Sequence, residues 1–310
     1  MVALERCADY QSTVLAAQLD RLVTALDETV VLRGTRVLLK PNLLSARGGG
    51  AGCTDAAFIV GVAGWLTEQG ARVTVGDSPA FGSAGGILQA LGIRETLAGL
   101  GVQVSDFRSG RKLALASGRT ATLAAEALDC ELLVNLPRVK AHAQVRITLA
   151  VKNLFGCVLG MQKPWWHMVH GGAHGSAFAG MIVDLLGLLP PTLSLVDGRV
   201  AMHETGPLDG RPYPLELIGA SWNPVALDSA LLAVLGVEPA SCPLWEVCAR
   251  RNLPGVWLTE LDFPLRGPDE LAAPAFRVPA RLHSVRFNPF RFLRSSLKRV
   301  LLRLRPADRA

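Results

Sequence analysis

The chain has 310 residues, enough for one large domain or two small ones; half are apolar at a mean hydropathy of +0.31, which excludes a disordered chain. Its net charge of +6 is unevenly placed: residues 281–310 hold nine Lys/Arg and one acid, giving +8, while the other 280 hold 23 basic and 25 acidic residues, giving −2. The most apolar stretch, Ala177 to Val196, is broken by Asp184 and Pro190-Pro191, so no span of roughly 20 clean apolar residues is present.

In chain order, short β-branched runs alternate with helical stretches. Arg36 to Lys40 reads as a strand and Thr54 to Gln69 as a helix with Thr54 at its N-cap. Strand Arg72 to Gly76, helix Gly85 to Leu100 and strand Val102 to Phe107 follow. A hairpin is expected across Ser117-Gly118, joining Leu113–Ala116 to Thr120–Leu123. Glu131 to Asn135 reads as a strand, and Val145 to Phe155 and Gly175 to Leu189 as helices. Strands Leu193 to Val196 and Leu215 to Ala220 lead to helix Pro224 to Leu235, with proline in its first turn. This alternation predicts an α/β fold, a mostly parallel sheet flanked by helices, over residues 1–279. A basic amphipathic tail occupies 280–310.

The polar motifs stand directly after strands: Lys40-Pro41-Asn42, Asp77-Ser78-Pro79, Asn135-Leu136-Pro137 and Asp197-Gly198. Asn, Asp, Ser and Pro are also ordinary turn formers, so each motif taken singly has that reading too. Lysine is not one, and ligands of open α/β sheets bind beyond the carboxyl ends of the strands. Lys40, Asp77, Lys140, Lys152 and Asp197 are therefore expected to share one pocket.

The densest segment runs from Asn135 to His170 and contains Lys140, His142, Lys152, Asn153, Cys157, Lys163, His167 and His170. On a helix from Val145 to Phe155, Thr148 and Lys152 would lie four apart on one face. A lysine on so apolar a segment is costly to bury unless it meets an anion, so these lysines point to a carboxylate- or phosphate-bearing ligand, solvent exposure being the alternative. His167 and His170 are three apart, near metal-ligand spacing. Cys157, beside Gly156, reads equally as a loop residue near a reacting group or as a small buried hydrophobe. Asp197 and Glu204, the latter in Met202-His203-Glu204, complete a candidate metal set with His170. Asp228 reads as a structural cap or pairing residue.

The pieces Leu39-Lys-Pro-Asn42, Gly76-Asp-Ser-Pro79, Lys140-x-His142, Lys152-Asn-Leu-Phe-Gly-Cys157, Lys163 with His167, Val196-Asp-Gly198, Gly206-Pro207 and Asn223-Pro-Val-Ala-Leu-Asp228 occur in this order. Together, within 37–236, they resemble the "domain of unknown function 362" family. That resemblance implies no single reaction. Many members carry a ferredoxin-like domain with two four-iron four-sulfur clusters, which implies redox or anaerobic metabolism. This chain departs from them in having no CxxCxxC run. Its six cysteines, at 7, 53, 130, 157, 242 and 248, lack zinc or ferredoxin spacing and read as free thiols in a reducing compartment.

In the tail, Phe290, Leu293, Leu297, Val300, Leu301 and Leu304 form one helical stripe beside Arg291, Arg294, Lys298, Arg299 and Arg305. Such a helix suits an anionic membrane surface or an acidic protein; a helix packed back on the body is the alternative. Nucleic acid is not expected, because the apolar stripe would have no role there. The N-terminus has no secretion signal pattern, so the expected location is cytoplasmic and peripheral at a membrane.

The leading expectation is an enzyme acting on an anionic small molecule. Lys140, His142, Lys152, Cys157 and His167 form its catalytic pool, and Lys40, Asn42, Asp77, Ser78, Asn153 and Lys163 bind substrate. A metal ion or iron–sulfur cluster, served by a separate electron carrier, is the redox version of this reading. A membrane-tethered, non-catalytic carrier of a cofactor or metal is the alternative.

Overall fold

A computed structural model describes residues 1–28, 30–46, 50–160, 162–169 and 176–283, with backbone alone for Pro164, His167, Met168 and Val169. The strands are β1 (Ala3–Arg6), β2 (Arg36–Pro41), β3 (Arg72–Gly76), β4 (Gln103–Ser105), β5 (Gly110–Ala114), β6 (Thr120–Ala124), β7 (Leu132–Leu136), β8 (Arg138–His142), β9 (Arg146–Thr148), β10 (Thr192–His203) and β11 (Arg211–Ser221). The helices are α1 (Ser12–Thr24), α2 (Ala56–Glu68), α3 (Ala84–Ala90), α4 (Arg94–Gly99), α5 (Ala125–Asp129), α6 (Ala150–Asn153), α7 (Gln162–Val169), α8 (Ser176–Val183), α9 (Pro224–Val234) and α10 (Pro243–Arg250).

Nine strands form one sheet in the order β1-β11-β10-β7-β2-β3-β4, with β8 joined to β10 and β9 to β8. The pairs β10–β7, β7–β2, β2–β3 and β3–β4 are parallel, and β11 and β1 add an antiparallel edge. The fold is therefore mixed α/β with a mostly parallel central sheet, as the sequence predicts. Its near-continuous apolar strands follow from burial on both faces. Val37, Leu39, Leu132, Val134, Leu193 and Leu195 meet α1 and α2 on one face, while Leu38 and Leu133 meet the layer of α8 and α10 on the other. Each such side chain contributes about 1.5–3 kcal/mol on full burial. From β2 the chain passes to β3 on one side and later returns as β7 on the other side of β2. The winding direction reverses between β2 and β7, the place where ligands of open α/β sheets collect.

Four local expectations are corrected. Residues Val145 to Phe155 are not one helix: Arg146–Thr148 pairs with β8 as strand β9, α6 covers Ala150–Asn153, and a 3₁₀ turn follows over Leu154–Cys157. Arg146 has φ +68°, which a continuous helix forbids, and the helix starts at Ala150 because Asp228 accepts hydrogen bonds from the Ala150 and Val151 amides (2.7 and 3.2 Å). The helix expected over Gly85–Leu100 breaks at Gly92, φ +73°, into α3 and α4. The N-cap of α2 is Asp55, whose carboxylate accepts from the Ala57 amide, rather than Thr54. The helix expected to Leu189 ends at Val183 and closes in a 3₁₀ turn, Asp184–Gly187. Asp228 has the structural role expected of it, though for a neighbouring helix rather than its own.

Candidate functional site

The end of β2 sets the site. Strand alternation turns Lys40 to the face that carries Leu38, and its Nζ lies 3.0 Å from Asp77 Oδ1 just beyond β3. Both side chains are buried, at 0% and 5% exposure. Asp77 Oδ2 accepts from the Leu43 amide and Oδ1 from the Ser78 amide, so this carboxylate organises the loops after β2 and β3. Breaking such a buried pair leaves an uncompensated charge, a loss of about 3–5 kcal/mol. The backbone over this pair is Gly156: a Cβ there would collide with Asp77 Oδ1 and with Nζ and Cε of Lys40. Glycine is required at that position by closeness, not by turn geometry.

Lys40 is in register with Asn135 of β7, which begins a chain of amides. Asn135 Nδ2 donates to Ala150 O (3.2 Å) and Ser194 Oγ (3.1 Å), and its Oδ1 accepts from Asn153 Nδ2 (2.8 Å). Asn153 Oδ1 accepts from Asn42 Nδ2 (2.9 Å), and Asn42 Oδ1 accepts from Lys140 Nζ (2.7 Å). Lys140 Nζ also donates to Gly52 O at 2.7 Å. The Thr54 hydroxyl accepts from the Asn42 amide and donates to Leu136 O, both at 2.8 Å, tying the loop after β2 to the end of β7.

The four lysines here have different surroundings. Lys40 is ion-paired; Lys140 meets neutral acceptors; Lys163 donates to the carbonyls of Gly156 (3.1 Å) and Ser78. Lys152 Nζ faces the rings of Phe155, 4.5 Å from its centroid, and Phe178, at 5.4 Å, and makes no hydrogen bond or ion pair among the described residues. Burial pushes Lys140 down to about 7. Burial, and then the charges of Lys140, Lys163 and Lys40, push Lys152 down to about 7 as well. Cys157 is fully buried in the apolar layer, and burial pushes its thiol up to about 12, so the nearby lysines do not hold it as a thiolate.

Of the residues singled out in the sequence, Lys40, Asn42, Asp77, Ser78, Lys140, Lys152, Asn153, Cys157 and Lys163 come together at this sheet edge. His142 ends β8, where its Nδ1 accepts from the Gln144 amide (3.1 Å). Asp197 corrects the single-pocket expectation. It follows Leu193 and Leu195 on the opposite face, where it accepts from Tyr10 Oη (2.7 Å), the Asp55 amide (2.7 Å) and Arg138 Nη1 (2.8 Å). Glu204 faces Arg211 at 3.4 Å and His203 at 3.9 Å. The His167 side chain and His170 lie outside the described residues, as does the tail beyond His283. Among the described residues no group of three or more His, Cys, Asp and Glu side chains is placed to hold a metal. The six cysteines, all described, are free and buried or half-buried.

One contributor escaped the sequence reading: Gly52 supplies a carbonyl that no sequence pattern marks, whereas Asn135 stood among the strand-end motifs without being named as a binding residue. A usable signal lay in the basic residues: the chain has 26 Arg and only six Lys, and four of those six stand at this site.

The chain is 37% identical over 306 residues to the thylakoid-associated protein sll1697 of Synechocystis sp., covering 97% of this chain and 95% of that one. The apoprotein of lactate racemase from Thermoanaerobacterium thermosaccharolyticum superposes with a TM-score of 0.45 at 12% identity, over 75% of this chain and 57% of that one. A Thermotoga maritima protein gives a TM-score of 0.38 at 11% identity, over 67% and 55%. The chain thus spans little more than half of either solved structure. Residues 37–233, which carry β2, β3, β7, β8 and α6 and so nearly every group around the lysines, match the domain of unknown function 362, and the chain belongs to that family.

Proposed function

We propose that the protein is an enzyme that holds a small carboxylate- or phosphate-bearing molecule against Lys40, Lys140, Lys152 and Lys163. One observation carries this reading: Lys140 and Lys152 are buried with no carboxylate of the described residues within hydrogen-bonding distance. Burying an ammonium group unpaired is costly, and an incoming anion offsets that cost. Calorimetric titration with lactate, pyruvate and inorganic phosphate tests it. Binding is expected to weaken about tenfold or more in Lys140→Met, the equivalent of one charge-assisted hydrogen bond of about 1.5–3 kcal/mol. Affinity should also fall as pH rises through about 7, because the anion favours the protonated amines. Absence of binding by all three anions at pH 6 overturns the reading.

A second reading, a carrier tethered at a membrane surface, is favoured by the name of the Synechocystis relative and by the +8 charge of residues 281–310. Each basic residue near an anionic leaflet contributes about 1 kcal/mol. No helix among the described residues is long and apolar enough to cross a membrane, so association would be peripheral. The full chain should sediment with anionic vesicles and not with neutral ones, and less so when Arg294, Lys298 and Arg299 are changed to Glu. Equal binding by the two proteins would remove the tail from this role.

A further inference from the structure

We propose that Lys152 is a covalent nucleophile that condenses with the carbonyl carbon of a small oxo compound, whose anionic group the neighbouring lysines hold. This rests on the anion-binding reading of the same site and adds to it the substrate class, a carbonyl compound that also bears a carboxylate or phosphate.

The choice of residue type is the first support. A site that only needed to grip an anion would be served by arginine, which presents a fork of donors and keeps its charge. The chain uses arginine 26 times, and all the described salt bridges except Lys40–Asp77 and His203–Glu204 use it. At this edge it uses lysine four times. What lysine adds is an amine that can give up its proton and offer a lone pair.

Among the four, geometry selects Lys152. Lys40 is committed to Asp77 and Lys140 to Asn42 Oδ1 and Gly52 O, while Lys163 donates to two carbonyls. Among the described residues the Lys152 nitrogen makes no hydrogen bond or ion pair and faces the rings of Phe155 and Phe178, so no described partner must be surrendered when it attacks. It is also more accessible than Lys40 and Lys140, at 9% exposure against 0% and 2%, and level with Lys163 at 8%. Burial in an aromatic-walled site and the charges of Lys140 on β8, Lys163 on α7 and Lys40 on β2, opposed only by Asp77, leave a large neutral fraction near pH 7. A desolvated lysine beside other cations is the usual way to make such an amine reactive.

The step balances without an external oxidant or reductant. The Nζ lone pair adds to the carbonyl carbon while the C=O π pair moves to oxygen, and a proton passes from nitrogen to that oxygen. The C–O bond then breaks as the nitrogen lone pair forms C=N, and the hydroxyl leaves as water by taking the second amine proton, so that a neutral imine remains. The imine that remains withdraws electrons from the adjacent carbon, and the surrounding cations favour charge that develops on the anionic side.

The test is reductive trapping on the full chain. Protein is incubated with pyruvate, and in parallel with glycolaldehyde phosphate, in the presence of cyanoborohydride, which delivers hydride to C=N and fixes a secondary amine. Peptide mapping then locates the adduct among the six lysines. The expected result is at least tenfold more adduct on Lys152 than on any other lysine, rising in rate from pH 6 to pH 8 and suppressed by lactate or inorganic phosphate, which have no carbonyl. Lys152→Arg should lose the adduct; the wild-type map does not depend on that variant folding. Adduct spread over the lysines without preference overturns the inference. Calorimetric binding of pyruvate and lactate without adduct from either carbonyl probe also overturns it and leaves the anion-binding reading standing. Failure of every anion to bind overturns both.

Discussion

Two buried charge clusters meet at the carboxyl edge of the same sheet, one built around Asp197 on one face and the other around Lys40 on the opposite face, and they are closed to different degrees. Around Asp197, a carboxylate receives Tyr10, the Asp55 amide and Arg138, while Arg199 pairs with Asp55 at 2.8 Å, so two carboxylates meet two guanidinium groups and charge balances internally. Around Lys40, Asp77 answers one ammonium, and Lys140 and Lys152 are left to neutral acceptors and ring faces. The first arrangement fastens β10 to the start of α2. The second keeps an imbalance that folding alone does not need, which is the mark of a place built for something else.

The sharpest way to break this contrast is to remove one partner from each side. Arg138→Met should lose about 3–5 kcal/mol of stability by urea denaturation, since it strands the Asp197 carboxylate, yet change anion affinity less than about twofold where it still folds. A large loss of affinity would mean that the two clusters act as one. Gly156→Ala should cost about 1–3 kcal/mol through overpacking against Lys40 and Asp77, and it should weaken anion binding as well.

Lys152→Met is expected to do the reverse of Arg138→Met and stabilise the protein, on the order of 1 kcal/mol at pH 6. Lys140 and Lys152 are depressed from 10.5 to about 7, so between those values the native state binds fewer protons than the unfolded chain. Stability from these groups is therefore present above pH 10.5 and is lost as pH falls through 7, by at most about 1.4 kcal/mol per pH unit for each. Melting at a series of pH values should show this rise and a flatter profile in Lys152→Met. Asp228 is raised from 3.8 to about 8 by burial, against the opposing Ala150 and Val151 amide bonds. Its contribution has the other sign, full below pH 3.8 and lost as pH rises through 8. Asp228→Asn should flatten the decline between pH 5 and 7; an unchanged slope would show that Asp228 is ionised throughout.

The alternation of strands and helices was legible because apolar runs and their polar ends repeat along the chain, and Lys40, Asp77, Lys140 and Lys152 could be named as site residues for the same reason. The placement of Asp197 was not. Leu193, Leu195 and Asp197 share a parity, but both faces of β10 are apolar, so the sequence does not say which face carries the site. The Val145 to Phe155 stretch was misread because its strand partner and its cap are non-local. Lys140 lies opposite Thr148 through a hairpin, and Asp228 reaches Ala150 from 78 residues away.

The amides from Lys140 to Ser194 have a direction. Each of Asn42, Asn153 and Asn135 accepts with its oxygen from the previous donor and gives with its nitrogen to the next acceptor. None of the three can turn over alone, since one reversed amide would set oxygen against oxygen on one side and nitrogen against nitrogen on the other. The row therefore behaves as a ratchet tooth rather than a proton wire: it carries no charge along its length, yet it fixes which way Lys140 must point. A single Asn153→Asp change would put two acceptors face to face at Asn135, and the misfit would be felt at a lysine two links away.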